Sequence, residues 1–231
     1  MKKTFFIVFI LLFTTIFNYC RLPENNVCLV PTQFVMAKIN NLYSLILGKD
    51  ATVWATGNNS SGQLGTGQSG SGIKETTFTK VASDVKMIAA GGSHSLIIKT
   101  DGTVWATGDN AYGQLGKVGT YTTFTPVASD VKMIAAGYAH SLILKNDGTV
   151  WTTGYNNYGQ LGTGDTADRN TFTKVAYNVK MIDGGYAHSL ILKNDGTVWT
   201  TGYNNYGQLG TGDNTTRNTF TKINKELFKC K

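Results

Sequence analysis

An all-β, propeller-like array of four four-stranded blades is the fold this sequence predicts, and three observations predict it. The stretch from His188 to Gly210, HSLILKNDGTVWTTGYNNYGQLG, recurs unchanged from His140 to Gly162, as HSLIIKTDGTVWATGDNAYGQLG from His94 to Gly116, and as YSLILGKDATVWATGNNSSGQLG from Tyr43 to Gly65. Each copy carries one of Trp54, Trp105, Trp151 and Trp199, at separations of 51, 46 and 48 residues. Such spacing is in the range of the ~20–50-residue periods that mark solenoids and propellers. The chain also holds 27 glycines against three prolines, among Thr, Val, Trp and Tyr, a mixture suited to strands joined by tight turns.

Taken in order, the chain begins with Lys2 and Lys3 ahead of an apolar run from Phe5 to Phe17. The run is shorter than the ~20 residues needed to span a bilayer as a helix, so residues 1–19 read as an export signal rather than an anchor or a core helix. Cys20 stands where a bacterial lipoprotein carries its lipidated cysteine, although Tyr19 occupies a position that normally holds a small residue. Residues 20–33 form a linker. Three cysteines are an odd number for an exported chain; Cys28 and Cys230, near the two ends of the array, either form a disulfide or remain free thiols. The formal charge is +7, or 7 − 2 = +5 without Lys2 and Lys3. The lysines are scattered singly, which does not make a phosphate-tracking stripe, and no nucleic-acid partner is expected.

The array occupies residues 34–231, with units at about 34–84, 85–130, 131–178 and 179–231. In the third unit the predicted strands are Val131 to Ala135, Ser141 to Lys145, Thr149 to Thr153 and Thr171 to Val175. Between the second and third stands Asn146-Asp147-Gly148, read as a hairpin whose type I′ turn needs positive φ at both central residues. In the first unit the pair has become Asp50-Ala51, and Ala51 predicts a looser or differently turned hairpin. Phe34 to Ile39 aligns with the first strand of a unit, and Ile223 to Cys230 starts a further one. The segments 137–174 and 185–222 are identical at 35 of 38 positions, which implies a recent internal duplication.

His-Ser, Leu-Ile-Leu, Asp-Gly-Thr-Val-Trp, Gly, Asn and Tyr-Gly-Gln-Leu-Gly, in that order and four times in phase, resemble the repeat of the regulator of chromosome condensation family. The resemblance covers the chain from about Phe34 onward and implies a β-propeller, usually of seven blades. Thr56, Thr107, Thr153 and Thr201 depart from it, since many members carry a second Trp there. Four repeats at that curvature imply an open arc, a strained closure or part of a longer array, and open ends invite self-association. The resemblance further implies two functions. Secreted members include inhibitors that cap a β-lactamase with one propeller face, and the nuclear founder catalyses guanine-nucleotide exchange on a small GTPase.

Reactive clusters are not evident. His94, His140 and His188 sit at repeat-equivalent positions a blade apart, whereas metal ligands must converge within ~2 Å of one ion; a structural bond to the neighbouring blade's backbone is the expected role. Asp165 and Asp168 suggest a calcium loop, but the matching Asp213-Asn214-Thr215-Thr216 lacks the second carboxylate. No metal, cofactor or catalytic group is expected. The loop after Gln-Leu-Gly varies instead: Thr66 to Thr77, Lys117 to Thr123, Thr163 to Thr171 and Thr211 to Thr219 contain 12, 7, 9 and 9 residues, which accounts for the uneven tryptophan spacing. Invariant blades with one variable loop suit a recognition rim.

The candidate partner-binding residues are Tyr155, Asn156, Asn157 and Tyr158, their copies Tyr203, Asn204, Asn205 and Tyr206, Tyr112 in the second unit, and Arg169 and Arg217 beyond them. Tyr and Asn combine apolar area with adaptable hydrogen bonding, though both also serve turns. The function expected is a non-enzymatic, exported scaffold that binds a protein at the bacterial envelope, in the periplasm or at the surface, touching the membrane only through a lipid anchor. Glycan or cell-surface adhesion is the alternative, and GTPase exchange a lesser one.

Overall fold

The computed structural model describes residues 33–40, 42–224 and 226. The export signal, the linker up to residue 32, Cys20, Cys28, Cys230 and most of the further strand expected near the C-terminus lie outside them. Blade 1 consists of β1 (Phe34–Ile39), β2 (Tyr43–Gly48), β3 (Val53–Asn58) and β4 (Lys74–Ala82). Blade 2 consists of β5 (Val85–Ala90), β6 (His94–Lys99), β7 (Val104–Gly108) and β8 (Tyr121–Ala128). Blade 3 follows with β9 (Val131–Ala136), β10 (His140–Lys145), β11 (Val150–Gly154) and β12 (Arg169–Ala176), and blade 4 with β13 (Val179–Gly184), β14 (His188–Lys193), β15 (Val198–Gly202) and β16 (Arg217–Lys222). Each blade is an antiparallel sheet with its strands in chain order. The fourth strand of blade 3 starts at Arg169, two residues before the expected Thr171, because Gly154 pairs with Arg169 across a bulge.

The first strands β1, β5, β9 and β13 pack in series along the inside of the arc, and among the described residues β13 makes no comparable packing against β1, so the arc stays open. Alternation decides which blade each side chain meets. Leu96, Ile98, Val104, Ala106 and Leu115 leave blade 2 on one side and meet Val131, Ile134 and Ile143 of blade 3. The same arrangement joins blade 1 to blade 2 through Leu45, Leu47, Val53, Leu64, Val85, Ile88 and Ile97, and blade 3 to blade 4 through Leu142, Leu144, Val150, Val179, Ile182 and Ile191. The apolar cores therefore lie between blades, and Trp105, Trp151 and Trp199 pack against them.

Two expectations about turns are corrected. At Asn146-Asp147-Gly148 only the glycine has positive φ, 82°. Gly148 N–H donates to Lys145 O at 3.0 Å and Lys145 N–H to Thr149 O at 2.9 Å, which is a type I turn ended by a left-handed residue, the three-residue hairpin. Asp147 stays at negative φ because its carboxylate accepts from Thr149 N–H and Oγ1–H at 2.9 and 2.7 Å. The Asp50-Ala51 hairpin is the same turn, not a looser one. Ala51 takes the left-handed conformation at φ 63°, while Gly48 N–H still reaches Thr52 O at 2.8 Å and Asp50 still holds Thr52.

Candidate functional site

Antiparallel order places the short β2–β3 hairpins and the two-residue links between blades on one side of the arc, the hairpin face. The β1–β2 and β3–β4 connections and their equivalents fall on the other, the loop face, which carries every loop of variable length. On the hairpin face Lys99, Lys145 and Lys193 lie over Trp105, Trp151 and Trp199 at 5.4, 4.9 and 4.5 Å from the ring centroids, so these lysines cover the tryptophans.

Each long loop on the opposite face is built around an asparagine, buried in blades 1, 3 and 4 and partly exposed, as Asn110, in blade 2. In blade 3, Asn156 Oδ1 accepts from Leu161 N–H at 3.0 Å, and Asn156 Nδ2 donates to Thr163 Oγ1 at 3.1 Å and Ala167 O at 3.0 Å. Gln160 Oε1 accepts from Tyr158 N–H at 3.0 Å, and Leu161 is wholly buried. Asn204, Gln208 and Leu209 repeat this in blade 4. An amide offers two donors and an acceptor on a short stem. Asn156 and Asn204 are accordingly withdrawn from the surface, which corrects their assignment as partner-binding groups; Asn157 and Asn205 are exposed. Gly159 is required where the turn approaches the next blade, since a Cβ there would collide with the Arg217–Asn218 backbone.

The tyrosines of these loops come together in a row that crosses two blade junctions. Tyr112 of blade 2 lies 4.7 Å from Tyr155 of blade 3, Tyr155 lies 6.2 Å from Tyr158, Tyr158 lies 4.9 Å from Tyr203 of blade 4, and Tyr203 lies 6.0 Å from Tyr206, centroid to centroid. Tilted and edge-on contacts of this kind are the favoured aromatic geometries. Tyr155 and Tyr203 are half-buried and support the row, whereas Tyr112, Tyr158 and Tyr206 are exposed by 44%, 38% and 85%.

A second pair, Tyr138 and Tyr186, sits in the loops before β10 and β14 with centroids 4.5 Å apart, and both rings are exposed. The two groups share the loop face, because Tyr155 N–H donates to Ala139 O at 2.9 Å and Tyr203 N–H to Ala187 O at 2.8 Å. Sequence reasoning missed Tyr138 and Tyr186; the duplicated Gly-Tyr-Ala-His ahead of each strand is the pattern that could have found them. Blade 1 contributes no tyrosine here, having Asn58-Asn59-Ser60-Ser61 in the same place.

Charges near the row are internally neutralised. Arg169 pairs with Asp165 at 2.5 Å and Arg217 with Asp213 at 2.7 Å, and each guanidinium also donates into its own loop backbone. The Arg169 guanidinium holds the Asp165 carboxyl below its ordinary value, and the Thr215 N–H does so first for Asp213. Asp168 accepts from Asn156 N–H at 2.7 Å. These carboxylates thus organise loops rather than converge.

His94 and His140, but not His188, bond the neighbouring blade, and they do so through a hydroxyl rather than the expected backbone. His94 Nε2 lies 2.9 Å from Ser141 Oγ and His140 Nε2 lies 3.0 Å from Ser189 Oγ. Tyr43, in the equivalent place, donates to His94 O at 2.5 Å. Burial lowers the imidazole pKa to about 4 at His94 and about 3 at His140. Three of the threonines that depart from the family pattern have a similar use: Thr107, Thr153 and Thr201 each place Oγ1 2.8 Å from a glycine carbonyl of the preceding blade. The concavity inside the arc, about 640 Å³, is lined by methionines, alanines and other apolar residues, mostly of the first strands, with Lys38 and Asp183 the only ionisable ones among the described residues. Among the described residues no group of His, Cys, Asp and Glu is arranged to hold a metal.

Comparison with known proteins gives a consistent picture of the fold. The family model for the RCC1-like domain matches residues 19–230. A search of the curated proteins returned no match. Among solved structures the chain is similar to human WBSCR16, with a TM-score of 0.75 and 22% identity over 83% of this chain and 53% of that one. It is similar also to Prp20p from Saccharomyces cerevisiae, described with its binding properties to Gsp1p and histones, with a TM-score of 0.73 and 23% identity over 83% of this chain and 50% of that one. A third similarity is to the complex of Kap60 bound to yeast RCC1 (Prp20), at a TM-score of 0.61 and 20% identity over 83% and 64% of the two chains. The chain spans about half the length of the first two.

Proposed function

The chain belongs to the RCC1-like domain family, and from that premise we propose that it is a non-enzymatic binding scaffold, exported to the bacterial envelope, that docks a protein on its loop face. The observation that carries this reading is the tyrosine row from Tyr112 to Tyr206, with Tyr138 and Tyr186 beside it on the same face. Tyrosine supplies contact area with little rotamer entropy to lose, and aromatic anchors dominate the energetics of interfaces. These rings stand on turns already fixed by Asn156, Gln160, Asn204 and Gln208, so little ordering is left for the moment of binding. The adjoining loops of unequal length are where specificity for one partner resides.

Other features support the remaining parts of the proposal. The buried histidines and the loop carboxylates are all committed to holding blades and turns, in keeping with a scaffold rather than an enzyme. Prp20p binds Gsp1p and histones, in keeping with a protein as the partner class. Lys2 and Lys3 before the apolar run from Phe5 to Phe17 support export to the periplasm or the surface, with Cys20 as the residue that would carry a lipid. The exposed tyrosines with Asn157 and Asn205 also suit a surface glycan, which is the second reading.

Affinity capture from the native host with the full chain and with the double variant Tyr158→Ala, Tyr206→Ala tests the proposal, alongside a glycan array. One protein captured by the unchanged chain and lost from the variant is the expected result. Array binding that the variant abolishes would favour the glycan reading. Capture of a small GTPase would favour exchange activity, and capture unchanged by the variant would reject the loop face. Cell fractionation that finds the chain in the cytosol would reject export.

A further inference from the structure

We propose that two copies of this chain join head to tail, blade 4 of each against blade 1 of the other, to complete an eight-bladed ring. The three junctions inside the chain show what such a joint requires. From blade 2 to blade 3, His94 Nε2 meets Ser141 Oγ at 2.9 Å, Ser141 Oγ–H donates to Gln114 O at 2.6 Å, and Thr153 Oγ1 lies 2.8 Å from Gly113 O. Phe172 lies so close over Gly116 that a Cβ there would strike its ring. From blade 3 to blade 4 the same roles are filled by His140 and Ser189, Gln160, Thr201 with Gly159, and Phe220 over Gly162.

The two ends of the arc carry the two halves of this joint. Blade 4 presents His188, Leu190, Leu192 and Val198, all partly exposed, where His140, Leu142, Leu144 and Val150 are wholly buried. Blade 1 presents Ser44, Ile46 and Thr56, partly exposed, where Ser95, Ile97 and Thr107 are wholly buried. Phe78, the counterpart of Phe172 and Phe220, is 38% exposed, and Ile39 on the inner strand is 78% exposed. Neither end is a generic apolar face, because each displays the residue set that the opposite end is built to receive.

Charge supports the same pairing. Lys38, Ala89, Ala135 and Asp183 are register equivalents, opposite Leu45, Leu96, Leu142 and Leu190. The position is thus alanine in the two inner blades, a cation in the first and an anion in the last. Seating blade 4 of one copy against blade 1 of another sets β13 against β1 as β9 already packs against β5, which places Asp183 and Lys38 on adjoining first strands. A head-to-tail interface forms a closed ring when its rotation closes. Two copies give eight blades, within the ~4–8 that propellers adopt.

Sedimentation velocity and native mass spectrometry of the full chain test this. A discrete dimer is expected. Leu190→Asp, at a partly exposed site, should convert it to monomer. Lys38→Asp should weaken dimerisation about tenfold by setting like charges together, and Lys38→Asp with Asp183→Lys should restore it. A monomer at the highest concentration the protein tolerates would overturn the proposal. So would a dimer that Leu190→Asp leaves intact, a charge exchange without rescue, or open polymers of indefinite size.

Discussion

His140 Nε2 lies 3.0 Å from Ser189 Oγ, and Ser189 Oγ–H donates in turn to Gln160 O at 2.6 Å. The serine proton is therefore committed to the carbonyl, and the imidazole must be the donor, neutral, with its proton on Nε2. Its Nδ1 is buried without a partner, as is that of His94. One ring thus ties two blades across a junction and also leaves a buried acceptor unsatisfied.

Removing that tie should be costly only where it is buried. His140→Ala deletes a buried ring and strands Ser189, so a loss of about 2–4 kcal/mol is expected. In the Leu190→Asp background, where no second copy covers blade 4, His188→Ala should lose under about 1 kcal/mol, because His188 is only partly buried and meets no further blade among the described residues. Urea midpoints of the two variants check this, and equal losses would contradict it.

His94 and His140 set an acid sensitivity. Their folded-state pKa values, about 4 and about 3, lie below the ordinary 6.5, so the unfolded chain takes up protons that the folded chain refuses. Stability is full above the ordinary value and declines as pH falls through the window from 6.5 towards 4 and 3, by about 1.4 kcal/mol per pH unit for each histidine. Urea unfolding across that window checks the slope, which the double variant His94→Asn, His140→Asn should flatten.

Much of the fold was legible because its determinants are local and repeated. The Gln-Leu-Gly turn, the Asp-Gly hairpin and the tryptophan after Thr-Val recur in phase, and alternation along Ser141-Leu142-Ile143-Leu144 assigns the strand to a packed layer. Other features depend on what a neighbouring blade supplies and were not legible. That Asn156 is buried follows from carbonyls nine to eleven residues away. That Tyr112 touches Tyr155 follows from the spacing of two blades. The hairpin type was misread because Asp147 bonds Thr149, which removes any need for a second positive φ.

Ala51 offers a clean test of the corrected hairpin. A left-handed alanine is disfavoured by roughly 1–2 kcal/mol, partly offset by the greater unfolded-state freedom of glycine. Ala51→Gly should raise stability by about 0.5–1 kcal/mol, and Gly148→Ala in the matching turn should lower it by about as much. Thermal midpoints of the two variants read both effects.

On the loop face, Tyr206→Ala should leave the fold almost untouched, within about 0.5 kcal/mol, because its ring stands on the surface, whereas Tyr158→Ala should cost about 1 kcal/mol, because its ring packs on Tyr155 and Tyr203. The two together should weaken the captured partner about thirtyfold or more, the effect of losing one anchor worth about 2 kcal/mol. Chemical denaturation beside a binding titration separates the two quantities.

The central claim is that the partner is held by the loop face, and site-specific photocrosslinking tests it most directly. A photoreactive phenylalanine analogue placed at Tyr206, and separately at Lys145 on the hairpin face, would be activated in the living host. Covalent capture of one protein from position 206, with nothing specific from position 145, is the predicted result. Capture from position 145 alone, or from neither, would contradict the account.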